Sequence, residues 1–233
     1  MRFRLKAMKR ILIAAALTLT LAACASGPSR PNFGRIEPVA NPSAVIAAEL
    51  AFARLAQDKG QWTAFRETAA AGAEMFVPQR VKAADWLKGR AEPAVAVKWQ
   101  PHAVWSSCDG SFAVTRGGWQ SPNASGTFAT IWQRQGRGDL KWVADMSLTS
   151  DGSGTAAPEM IAARTAECKV RPGPAPQLVV TDTDWRTGAS RDGTLVWGTG
   201  VTTLGGRTIK VWLWNGTSFE AVLDQTVPAG PTR

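Results

Sequence analysis

Near residue 94 the hydrophobic period of this 233-residue chain changes from helical to alternating, so helices come first and a meander of strands follows. Asn41 is a candidate N-cap, with Pro42 at the first helical position. Val45, Ala48, Phe52, Leu55 and Ala56 then recur at helical spacing, and Gly60 is a stop signal. A second short helix fits residues 61–71, with Trp62, Phe65 and Ala69 on one face. Residues 74–78 read as a short strand, and residues 81–88 as a third helix carrying Trp86 and Leu87. Beyond the change of period, residues 94–99, 102–107, 111–119, 126–134 and 140–146 are strand candidates. They are separated by Asp109-Gly110, Ser121-Pro122-Asn123 and a Gly/Asp-rich turn at 136–139. This order predicts an α+β fold over residues 42–150.

The remainder divides at residues 151–154, a Gly/Ser joint. Residues 158–167 predict a short helix within a linker that runs to 176 and stiffens over the prolines of 171–176. A small β-rich unit, residues 177–233, closes the chain. Residues 193–202, 207–214 and 218–224 alternate and are joined through Leu204-Gly205-Gly206 and Asn215-Gly216, both hairpin signals. Three strands with one apolar face are marginal alone, so this meander is expected to dock on the first domain as an appendage.

The first 23 residues predict export. Arg2, Arg4, Lys6, Lys9 and Arg10 form a basic start, and residues 11–23 are apolar apart from two threonines. Thirteen residues rise about 20 Å as a helix, short of the ~30 Å hydrocarbon core. Leu21-Ala22-Ala23-Cys24 resembles the lipid box of bacterial lipoproteins, which implies diacylglyceryl transfer to Cys24, cleavage before it and acylation of the new terminus. Translation from Met8 would leave that signal intact. Ala25 after the cysteine implies an outer-membrane address, with the domain facing the periplasm. Residues 24–41, rich in Pro and Gly, read as a flexible tether. Without the signal, 22 basic residues face 18 acidic ones, so the net charge falls from +9 to +4. With no Lys/Arg stripe and no nucleic-acid motif, nucleic acid is not an expected partner.

The succession Ala48-Glu49-Leu50-Ala51-Phe52-Ala53, Lys59-Gly60, Ala64-Phe65, Trp86-Leu87, then residues 109–119, 130–135 and 140–145, resembles the SnoaL-like, nuclear transport factor 2-like superfamily. The resemblance covers residues 42–150. It implies a cone-shaped, curved antiparallel sheet cupping the N-terminal helices, and homodimerisation through the outer face of the sheet. That superfamily holds enzymes, small-molecule binders and association modules, so fold does not select function.

The chemistry argues against its enzymatic branches. The isomerase branch uses an Asp base with a Tyr-centred oxyanion hole, and the dehydratase branch uses His, Asp and Tyr. This chain has no Tyr and a single His, His102. Asp145 at the end of a strand and Asp109 in an Asp-Gly turn are the remaining acid–base candidates, and no catalytic residue is assigned. One His and two further thiols make no ordinary zinc site, and no phosphate-loop or nucleophile-elbow spacing occurs, so no cofactor or metal is expected.

Eleven Trp and eight Phe make aromatic surface the main resource. The pocket candidates are Trp62, Phe65, Trp86, Trp99, Trp105, Trp119, Trp132, Trp142, Arg116 and Asp145, with Arg66 as a second anion contact. With Cys24 lipidated, Cys108 and Cys168 remain as an even pair in an oxidising compartment. That points to a disulfide, the other reading being two buried thiols. The leading expectation is a membrane-anchored, non-catalytic protein whose cone domain binds a small apolar ligand or an envelope protein. Two alternatives stand beside it: a glycan- or cell-wall-binding module using Trp185, Trp197, Trp212 and Trp214, and an isomerase, lyase or hydrolase with an atypical pocket.

Overall fold

The computed structural model describes residues 39–136, 138–149, 156–178 and 183–229. The signal, Cys24, most of the tether and the joint at 151–154 lie outside the described residues. Helix α1, Pro42–Lys59, starts where Asn41 caps it: its side-chain oxygen accepts from the Ala44 amide at 3.0 Å. The buried face runs Val45, Glu49, Phe52, Ala56. Gly60, at φ 103°, turns the chain directly into α2, Gln61–Thr68. That helix has no capping side chain of its own. Glu92 supplies the cap from a distant loop, accepting from the amides of Trp62 and Thr63 at 2.7 and 2.8 Å.

Strand β1, Ala69–Phe76, follows α2 without a loop and starts earlier than the residue-74 strand expected from the sequence. The predicted helix at 81–88 is divided between β2, Arg80–Lys82, and the short helix α3, Ala83–Leu87. Val81 pairs with Met75 across an antiparallel ladder, which holds that end of the segment extended. Then come β3 (Lys98–Ser106), β4 (Phe112–Gln120), β5 (Ser125–Arg134) and β6 (Leu140–Thr149), an antiparallel meander. Of the two strands expected at 94–99 and 102–107, residues 98–106 form one strand, β3, with a register shift between Pro101 and Ala103, while residues 94–97 are not in a strand.

The chain is therefore α+β, but two expectations need correction. The large sheet, ordered β2-β1-β6-β5-β4-β3-β7, is mixed rather than antiparallel: β1 runs parallel to β6, and β7 runs parallel to β3. The second correction is β7 itself, Ala162–Thr165, which stands where a short helix was expected. Ala- and Glu-rich propensity there yields to tertiary pairing. The open edge of β3 takes up the backbone from Ala162 to Thr165, and the Ala166 amide donates to the Ser106 carbonyl at 3.0 Å. The Cys108–Cys168 disulfide fastens the segment just beyond, with Cα atoms 5.3 Å apart.

Strands β8 (Thr183–Ala189), β9 (Leu195–Thr202), β10 (Arg207–Trp214) and β11 (Phe219–Val227) form a second, antiparallel sheet in the order β11-β10-β9-β8. Because successive strand residues point to opposite faces, neighbours in the large sheet serve two cores. Val104, Ala113, Trp132 and Trp142 pack against Val45, Phe52, Phe65 and Leu87 on the helical side. Trp105, Val114, Ile131 and Met146 pack against Leu195, Ile209, Val211 and Leu213 of the small sheet. Arg80 ties the layers at one end: it pairs with Glu74 at 3.2 Å and with Asp184, and donates to the Thr199 carbonyl at 2.8 Å.

Candidate ligand cavity

Between α2 and the helical face of the large sheet lies a cavity of about 290 Å³. Trp62 and Phe65 come from α2, Met75 and Phe76 from β1, Trp99 from β3, Trp119 from β4 and Phe128 from β5. Asp145 and Ser147 on β6, with Gln61, Val77 and Val97, complete the wall. The sequence builds this wall by strand alternation. Trp99 pairs with Trp119 in the β3–β4 ladder, so both rings rise on the same side. Gly117 makes the approach of Phe128 possible: a Cβ there would lie 2.0 Å from the Gln100 carbonyl oxygen and 2.7 Å from the Phe128 ring.

Asp145 is the ionisable group among the described residues of the lining. Burial among aromatic rings pushes its carboxyl up to about 7, against the opposing hydrogen bond from the Thr130 hydroxyl at 2.9 Å, and the nearby Glu49 carboxyl adds to the rise. Glu49 is wholly buried on the inner face of α1. Its Oε1 accepts from the Trp99 indole N–H at 2.8 Å; its Oε2 accepts from the Trp132 indole N–H at 2.9 Å and the Thr115 hydroxyl at 2.6 Å. Burial raises the Glu49 pKa, while the hydrogen bonds from Thr115, Trp132 and Trp99 oppose the rise. The effect on the site is positional: Glu49 fixes the ring of Trp99, which forms part of the cavity wall.

The structure gathers five predicted pocket residues around this space: Trp62, Phe65, Trp99, Trp119 and Asp145. Trp86 stands one layer back, edge to face with Trp62 at 5.0 Å, with the Arg90 guanidinium 3.5 Å above its ring centre. Trp132 and Trp142 are core residues, and the Trp142 indole donates to the Thr68 hydroxyl at 2.9 Å. Trp105 belongs to the core between the sheets. Arg116 is absent from the lining; it sits beside the β3 bulge, where burial first and Arg116 second lower the pKa of His102. Arg66 is engaged by the Leu87 carbonyl and Glu92. Asp109 organises its own turn, accepting from the Ser107 hydroxyl and the Ser111 amide.

None of the four C-terminal indoles is exposed. Trp185 lies over Gly200 and Trp197 over Gly188, Trp212 is half-buried, and Trp214 is buried against Phe219. Among the described residues no cluster of three His, Cys, Asp or Glu is placed to hold a metal.

No family model and no curated protein matches this chain. Sequence reading missed Glu49, Phe128, Met75, Ser147 and Gln61 as parts of the site. For Glu49 a signal existed: a carboxylate four residues after Val45 and three before Phe52 lies on the apolar seam of its own helix. For Phe128 and Ser147 none did, since strand alternation alone does not say which face encloses space.

Proposed function

We propose that this protein is an envelope lipoprotein, anchored through Cys24, whose helical side binds a small, largely aromatic or apolar molecule without transforming it. The observation that carries the reading is the cavity: six aromatic residues and one desolvated carboxyl around about 290 Å³, a size and polarity suited to a small ligand. The packing of α1 and α2 on one face of the sheet supports placing residues 42–150 with the SnoaL-like, nuclear transport factor 2-like proteins. The half-buried and buried state of Trp185, Trp197, Trp212 and Trp214 disfavours the glycan reading, which needs open indole faces.

One observation favours a second reading. A carboxyl held at about 7 in an apolar wall has the pKa of a general acid–base catalyst, so proton transfer at Asp145 is the enzymatic alternative. Native mass spectrometry of the mature chain isolated from its own envelope, with intrinsic Trp fluorescence on adding back the extracted molecule, tests the binding reading. A stoichiometric small molecule released unchanged supports it. Turnover of that molecule, lost in Asp145→Asn, replaces it with the enzymatic one.

A further inference from the structure

The composition of the cavity wall narrows the class of small ligand it can hold. Six aromatic rings line it, and the ionisable residue beside them is an acid; among the described residues no Lys, Arg or His is part of the lining. Aromatic faces carry negative potential and attract a cation placed over them, most strongly when the site is desolvated. Three indoles, Trp62, Trp99 and Trp119, contribute, and Trp is the strongest of these platforms.

We infer that the cavity binds a small organic ammonium ion, an alkylated or protonated amine of about choline's size, seated among Trp62, Trp99 and Trp119 with Asp145 as its counter-ion. This rests on the proposal that the cavity is a ligand site and names the ligand class. A neutral aromatic ligand would use the rings equally well but would leave Asp145 with no partner of opposite charge among the described residues.

The surroundings of Asp145 agree with this. From α1 the titratable group acting on it is Glu49; from β5 it meets the Thr130 hydroxyl; its ladder partner on β1 is Met75. Glu74, the neighbour of Met75, is paired with Arg80. Arg80 lies 5.5 Å from the Phe76 ring centre, but its charge is met by Glu74 and Asp184. A bound cation would thus supply the missing positive charge and draw the Asp145 pKa down.

The test is a Trp-fluorescence and calorimetric titration of the mature chain with choline and with its carbon isostere, in which the quaternary nitrogen is replaced by carbon. Choline is expected to bind tenfold or more tightly than the isostere. Its affinity should rise about 10- to 30-fold from pH 5.5 to 8 as Asp145, titrating from about 7, ionises. Asp145→Asn should remove that pH dependence, whereas Glu49→Gln, which takes away a carboxyl that raises the Asp145 pKa, should move its midpoint to lower pH without abolishing it, which separates the two carboxyls. Phosphocholine run in parallel distinguishes sources: binding of both points to a lipid headgroup, binding of choline alone to a free amine. Equal, pH-independent binding of choline and isostere overturns the cation inference and leaves the binding reading standing. Failure of both of them and of neutral aromatic probes overturns the two together.

Discussion

At the scale of single residues, two carboxyls set the behaviour of the helical side. Glu49 accepts from two indoles and a hydroxyl in a fully buried position, so replacing it with Gln turns one acceptor oxygen into a donor facing other donors. Glu49→Gln is expected to cost about 2–4 kcal/mol in denaturant titration, with a change in Trp99 fluorescence. Asp145 gives a pH dependence with a definite sign. Its folded pKa of about 7 lies above its usual 3.8, so the native state holds the proton more tightly than the unfolded chain does. The stability it contributes is complete below pH 3.8 and is lost as pH rises through 7. Glu49, also raised, acts in the same direction. Unfolding free energy should therefore fall between about pH 4 and 7, and Asp145→Asn should flatten part of that slope; an identical slope in the variant would remove Asp145 as its source. The sequence hinted at Glu49 through its helical spacing, whereas the environment of Asp145 depends on α2 and β5 closing over it and is not written in its neighbours.

At the scale of elements, the strands from β3 to β6 and from β9 to β11 were legible because alternation and turn chemistry agree there, as at Asn215-Gly216. β7 and β8 were not legible. The β7 segment favours helix and is recruited by the edge of β3, and β8 has Trp185 as its one large apolar side chain. What makes β8 a strand is a pair of complementary vacancies: Trp185 faces Gly200 and Trp197 faces Gly188 across the ladder, so each ring covers a residue without a side chain. A Cβ at Gly188 would lie 2.4 Å from the Trp197 ring. Gly188→Ala is predicted to destabilise by about 1–3 kcal/mol, read as a lower denaturant midpoint. An unchanged midpoint would mean that Trp197 can move aside at no cost.

At the scale of the molecule, the large sheet is an inner layer with helices on one side and the small sheet on the other. Residues 177–233 were expected as an appendage that docks; in the structure their apolar face shares one core with Trp105, Val114 and Ile131. The disulfide closes a separation of 60 residues and fixes β7 near the turn at Cys108. Replacing both cysteines with Ser should lower stability by about 4 kcal/mol in the chain-entropy view, while both sheets still unfold in one transition. Two separated transitions, followed by Trp fluorescence and far-ultraviolet dichroism, would contradict the shared core. Binding at the cavity is tested most directly by a crystal structure of the protein isolated from its own cells. A bound ligand should give density for a small molecule between Trp62, Trp99 and Trp119, within hydrogen-bond or ion-pair distance of Asp145. A cavity closed by those same indoles, with the Asp145 carboxyl sealed away from any ligand, would contradict it.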